Sequence, residues 1–170
     1  MWPEIIAQLA STPEVLASLN PPASTREIDA LERRVGARLP DSFKAYLATM
    51  DGQNDLGETA WLVEYNRFLP VAEIIETMDT MKALFAGEGR IAHIAENRIR
   101  PVLWDRRWIP FAGFMGSNHL VLDLHPGRKG VAGQIFQSFP GVDLEDDATV
   151  IADSFTDFSR DLLATLQARS

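Results

Sequence analysis

The chain has 170 residues, 24 acidic side chains against 16 basic ones, and no cysteine. That length suits one domain. The lack of cysteine excludes a disulfide framework, a thiol nucleophile and cysteine-ligated metal. A net charge of −8 argues against a polyanion partner, because phosphate binding needs a basic surface, and it is compatible with a basic protein partner.

Met1-Trp2-Pro3-Glu4 carries no basic n-region, and no apolar stretch with a small-residue cleavage site follows, which predicts a cytoplasmic chain. Ile5, Ile6, Leu9, Val15, Leu16 and Leu19 are spaced for two short helical pieces, broken at Ser11-Thr12-Pro13 and ended by Pro21-Pro22. Residues 1–22 thus form an N-terminal helical segment ahead of a core at 23–168. Ser24-Thr25-Arg26-Glu27 has the spacing of a capping box. Ile28, Leu31 and Val35 line one face of the helix it starts, and Gly36 can supply the left-handed residue that closes it.

Pro40 fits the first turn of the next helix, with Phe43, Tyr46, Leu47 and Met50 as its buried stripe and Gly52 as its stop. Residues 51–64 read as a loop leading into a strand around Trp61–Tyr65. A third helix follows Pro70, its apolar positions Ile74, Ile75, Met78, Met81, Leu84 and Phe85 recurring at three and four. Trp108–Phe114, His119–Leu124 and Gly133–Phe139 are short apolar or alternating runs separated by turn residues, as antiparallel hairpins require. The uncharged run Trp108–Leu122 holds Pro110, Gly113, Gly116 and Asn118, so it is not a membrane span. Ser154 caps a closing helix with Phe155, Phe158, Leu162, Leu163 and Leu166 on one face. Helices, then a meander, then a closing helix predict a single α+β domain: an antiparallel sheet of about four to six strands with helices packed on one face.

In their order these pieces resemble the SUKH superfamily, which includes bacterial toxin-immunity proteins and fungal cell-wall-synthesis regulators. Glu32 in the capped helix, the Gly36–Leu39-Pro40 corner, and Asp51-Gly52 after Phe43–Leu47 are similar to its motifs. So are Phe68-Leu69-Pro70, Trp108 with Pro110, Asp123 between Leu122 and Leu124, and Ser154-Phe155 with Phe158. Asp51 stands where the family usually has Asn, and residues 87–107 match no motif. The resemblance implies a protein-binding module with no shared catalytic set, and for a bacterial member an immunity protein that caps a toxin.

Chemical alternatives need a constellation. No Gly-x-Ser-x-Gly elbow, P-loop, His-Glu-x-x-His or dinucleotide fingerprint is present, and Pro126-Gly127-Arg128-Lys129-Gly130 reads as a hairpin turn rather than a phosphate cradle. In a strand, His119, Asp123 and His125 share one face, which reads as a solvent-facing edge with Asp123 structuring a turn. His119 and Asp123 stand roughly 13 Å apart along a strand, too far for one metal, so no metal or cofactor is expected. A small hydrolase using Asp123 and His125 is the enzymatic alternative. His93 reads as structural. Arg98, Arg100, Arg106 and Arg107 cluster beside Trp104 and Trp108; stacking within the fold or pairing with acids fits the acidic chain better than nucleic-acid binding.

The acids are segregated. Asp51, Asp55, Glu58 and Glu64 fall between Ala45 and Asn66, and Asp143, Glu145, Asp146, Asp147, Asp153 and Asp157 between Val131 and Ser159, both windows free of Lys and Arg. Such blocks are ordinarily solvated faces. Asp153 and Asp157 also have a local reason at a helix start. Val142 and Leu144 among the acids suit docking onto a basic protein. Asp51, Asp55, Glu58, Asp143, Glu145, Asp146 and Asp147 are therefore the candidate contacts to a cognate, basic toxin, with a regulatory scaffold as the alternative role.

Overall fold

The structure, a computed structural model, describes residues 1–55, 60–63, 65–85, 95–114, 118–138 and 149–170. Two short helices, α1 (Trp2–Gln8) and α2 (Pro13–Ser18), flank a 3-10 turn at Leu9–Ser11. The capping box forms at the start of α3 (Thr25–Val35): the Glu27 amide donates to Ser24 Oγ at 3.1 Å, and the Ser24 amide to Glu27 Oε1 at 3.1 Å. Gly36 closes α3 at φ 72°, in the left-handed region. Pro40 proves to be the N-cap of α4 (Asp41–Leu47) rather than a residue of its first turn. Helices α5 (Val71–Phe85) and α6 (Phe155–Arg169) complete the helical set among the described residues. No helix there is long and apolar enough to cross a membrane.

Five strands form an antiparallel meander in sequence order: β1 (Arg67–Phe68), β2 (Trp108–Phe114), β3 (Asn118–Asp123), β4 (Gln134–Ser138) and β5 (Thr149–Ala152). Among the described residues, no strand forms at the expected Trp61–Tyr65. Tyr65 sits at φ 64°, which breaks the extended run, and Val63 and Asn66 make only an isolated bridge. Pairing starts two residues later, with Arg67 opposite Gly113. Strand β5 is not among the strands expected from the sequence, although Thr149, Val150 and Ile151 are β-branched; its residues alternate exposed and half-buried at the edge of the sheet.

One face of the sheet carries the main core. Ile109, Phe111, Leu120, Leu122 and Ile135 meet Phe155, Phe158 and Leu162 of α6, with Leu31, Phe43, Tyr46, Trp2 and Ile5 behind them. Between Pro110 and Ala112 the β2–β3 register shifts by a bulge that leaves Phe111 extra on its strand. The rings interlock edge-on: Phe43 and Phe155 are 5.1 Å apart at 88°, and Phe111 and Phe155 are 5.5 Å apart at 86°. On α5, Leu84 falls outside this core and is exposed, so the helical stripe is shorter than its apolar run suggests.

The opposite face of the sheet is covered too. Residues 95–107, which matched no motif, lie across it, and Ile99 packs with Trp108, Val121 and Phe136, flanked by Val102 and Trp104. Backbone bonds hold this cover in place. The Gly127 amide donates to Arg98 O at 3.0 Å, the Lys129 amide to Asn97 O at 3.0 Å, and the Leu124 amide to Arg107 O at 3.1 Å. The glycines of the 126–130 turn make room for it. A Cβ at Gly127 would lie 2.3 Å from Asn97 O, and one at Gly130 only 2.1 Å from Arg98 O. The turn that resembles a phosphate cradle holds this chain's own backbone.

Candidate functional site

The cover changes the meaning of the histidine and aspartate face. His119 and Asp123 are not on a solvent-facing edge: β3 is the central strand, and His119 is 3% and Asp123 0% exposed. On the covered face, His119 pairs across to Ser138, Val121 to Phe136 and Asp123 to Gln134. Asp123 does structure the turn that follows. Its Oδ1 accepts the His125 amide at 2.9 Å and its Oδ2 accepts Gln134 Nε2 at 2.8 Å, while Gln134 Nε2 also donates to Arg98 O at 2.7 Å. Burial pushes the Asp123 carboxyl up to about 6, although the Gln134 and His125 donors pull the other way. Burial alone brings His119 down to about 4.

Asp123 and the His125 ring do not form a dyad. The ring turns to Asp105: His125 Nδ1 is 3.1 Å from Asp105 Oδ2 and 2.9 Å from Arg100 Nη1. Asp105 is itself an ion-pair partner of Arg100 and accepts the Arg107 amide at 2.9 Å. A buried carboxylate already bound to an amide and a glutamine has no reach to solvent-borne substrate. Among the described residues, no group of His, Asp and Glu is placed to hold a metal ion.

Acids pair with two of the four clustered arginines. Arg98 pairs with Asp153 at 2.6 Å and Arg100 with Asp105, while Arg106 lies against the end of α3. His93 lies outside the described residues.

Of the acidic candidates, Asp51 is half-buried. Its Oδ1 accepts the Val71 amide at 2.7 Å, capping α5 across the chain, and burial raises its pKa despite that bond. Asp55 is exposed. Glu58, Asp143, Glu145, Asp146 and Asp147 lie outside the described residues.

The residues quoted from the family pattern are placed by the fold. Glu32 Oε2 accepts the Leu39 amide at 2.9 Å and pairs with Lys44 Nζ at 3.0 Å, tying α3 to α4 across the Leu39-Pro40 corner; both partners lower its pKa. Gly52 has φ 63°, and a Cβ there would meet the Leu69 carbonyl carbon at 2.5 Å. Trp108, Pro110, Asp123 and Phe155 are buried in the sheet and its two covers.

Sequence reasoning missed Gln53, fully buried. Its Nε2 donates to Ser18 Oγ at 2.8 Å and Ala60 O at 2.6 Å, and its Oε1 accepts the Phe68 amide at 3.0 Å. It joins α2, the 51–63 loop and β1. A glutamine in a Gly-Asn-rich loop carries no signal for that. Asp105 and Gln134 were missed because their partners, Arg100, His125, Asp123 and the Arg98 carbonyl, come from other parts of the fold.

A family model, SMI1 / KNR4 family (SUKH-1), matches residues 22–161. The chain belongs to the SMI1/KNR4 family, SUKH-1. Membership supports a protein-binding role. A protein described as "Cell wall biosynthesis/cell cycle regulator smi1", from Schizosaccharomyces pombe, is 27% identical over 150 residues, 80% of this chain and 29% of that protein. This SUKH-1 chain thus spans less than a third of that relative's length. Helix α1 precedes the matched region, yet Trp2 packs 4.5 Å from Tyr46 and its Nε1 donates to Ser159 Oγ at 3.1 Å.

Proposed function

We propose that this SUKH-1 chain is a non-enzymatic, cytoplasmic immunity protein that binds a cognate basic toxin, such as a nuclease, and occludes its active site. The observation that carries the reading is the charge placement: ten of the 24 acids fall in two windows without a lysine or arginine. Carboxylates of these windows mimic the phosphates a nuclease binds and attract it over long range, while Val142 and Leu144 fix the register. Asp55, Glu58, Asp143, Glu145, Asp146 and Asp147 are the contacts to test. Asp51 is spared in the variants, because its carboxylate caps α5.

The test is to look beside this gene for a large secreted protein with a variable C-terminal domain and to co-express that domain with this chain, scored for growth rescue and a stable complex. Reversing Asp143, Glu145, Asp146 and Asp147 to lysine is expected to slow association at low salt by about tenfold or more. An unchanged association rate would remove the electrostatic mechanism, and absence of rescue with no complex would remove the immunity role.

The described relative favours a second reading, a regulatory scaffold related to the cell-wall regulators. A growth or cell-wall defect on deleting this gene in cells that lack the toxin would select it. A hydrolase using Asp123 and His125 has little support, since Asp123 is fully buried and the His125 ring is turned to Asp105.

A further inference from the structure

A groove of about 290 Å³ opens between α3, α5 and the cover segment, where Trp104 separates it from His119, their ring centroids 6.4 Å apart. Its described lining is Met78, Met81 and Phe85 with Lys82 on α5, Arg34 on α3, and Trp104 with Arg106 before β2. Positions 78, 81, 82 and 85 recur at the spacing of one helix face, so α5 gives the groove a floor of buried Met78 and Met81 beside half-buried Phe85 and exposed Lys82. The wall is methionine and aromatic, surfaces that adapt to differently shaped apolar side chains. The volume lies at the low end of small-ligand pockets, about 300–1,000 Å³, which suits one or two side chains better than a cofactor.

Three elements each bring one cation to this apolar wall, on a chain whose net charge is −8. Arg34 is paired with Asp79 at 2.5 Å. Lys82 and Arg106 are exposed and have no ion-pair partner among the described residues. Arg106 is also held in place. Its Nη2 would be 2.7 Å from a Cβ at Gly36, so the guanidinium rests on the C-terminal end of α3, where the helix dipole favours a cation. Gly36 therefore serves twice, as the left-handed helix stop and as the seat of that arginine.

We infer that this groove is a docking site for an acidic peptide segment of a protein partner, one bulky apolar side chain entering between Met78, Met81, Phe85 and Trp104 while flanking carboxylates meet Lys82 and Arg106. Charge complementarity selects the occupant, since an apolar wall alone would accept any hydrophobic segment and the two cations, without an ion-pair partner among the described residues, reward an anionic one. The chemistry is the reverse of that proposed for the acidic windows, and the inference stands independently of the toxin reading.

The test pans a displayed library of random twelve-residue peptides on the full chain, then measures the enriched peptides by fluorescence polarisation. Enriched sequences are expected to place Asp or Glu on both sides of Leu, Phe or Trp. Lys82→Glu with Arg106→Glu is expected to weaken them at least about tenfold. Lys82→Gln with Arg106→Gln serves should the reversal disturb folding, and Lys129→Glu, a cation outside the groove lining, is expected to leave binding unchanged. Peptides without acids, or acidic peptides that bind the double variant as well as the parent, would overturn the inference. So would dimerisation abolished by the same double variant, which would give the groove to a second copy of this chain. Phosphatidylserine vesicles that bind through these two residues while no peptide is enriched would also overturn it.

Discussion

The two faces of one sheet solve burial in opposite ways. On the helical face, Ile109, Phe111, Leu120, Leu122 and Ile135 meet rings and leucines, and packing alone decides their energy. On the other face, His119, Asp123, Gln134 and Ser138 stand among Val121, Phe136 and Trp108, all under a segment without regular secondary structure apart from a 3-10 turn at Ala95–Asn97. There Asp123 and Gln134 are bonded to the turn and to the cover, whereas His119 Nδ1 has no hydrogen-bond partner among the described residues, and an unpartnered group carries its full desolvation cost. The first face tolerates chemistry of similar volume, and the second demands particular atoms. The contrast shows why a polar residue at an alternating strand position need not face water.

Removing a ring from the helical face is the severest test. Phe111→Ala takes out a fully buried ring that touches Phe43, Phe68, Phe155 and Phe158, and is expected to cost about 3–5 kcal/mol in urea unfolding. A cost under 1 kcal/mol would mean that this face is not the dominant core.

The polar face predicts two opposed pH effects. His119 is held neutral in the fold, so its contribution is lost as pH falls from about 6.5 toward 4, where the unfolded chain takes up the proton first. Asp123 titrates higher in the fold than in the unfolded chain, so protonating it adds stability as pH falls from about 6 toward 4. His119→Phe is therefore expected to gain about 2–3 kcal/mol relative to the parent between pH 6.5 and 4.5, and Asp123→Asn to lose ground over the same range. Denaturation curves at each pH measure both differences; parallel curves for parent and variants would show that these side chains are not buried as described.

The smallest effect is local to neither face. Ser24→Ala removes the acceptor of the Glu27 amide and is expected to cost about 1 kcal/mol, read as a lowered unfolding midpoint with an unchanged denaturant slope.

The sequence by itself determined the helices and the central hairpins, because their signals are local. Ser24 three residues before Glu27, Gly36 past the last periodic residue, and Ser154 before Phe155 each act within one turn of chain. It also placed the charge, and with it the acidic windows on which the immunity reading rests. The tertiary structure alone decided what lies over the second face of the sheet. An alternating strand such as His119–Asp123 reads the same whether its polar side meets water or a carboxamide from the next strand. Residues 95–107 find that face through backbone bonds to the 126–130 turn, and backbone groups carry no side-chain pattern to read. The groove under Arg106 escapes the sequence for the same reason. Its lining comes from three separated stretches, and only the packing of α3, α5 and the cover brings Arg34, Lys82 and Arg106 to one rim.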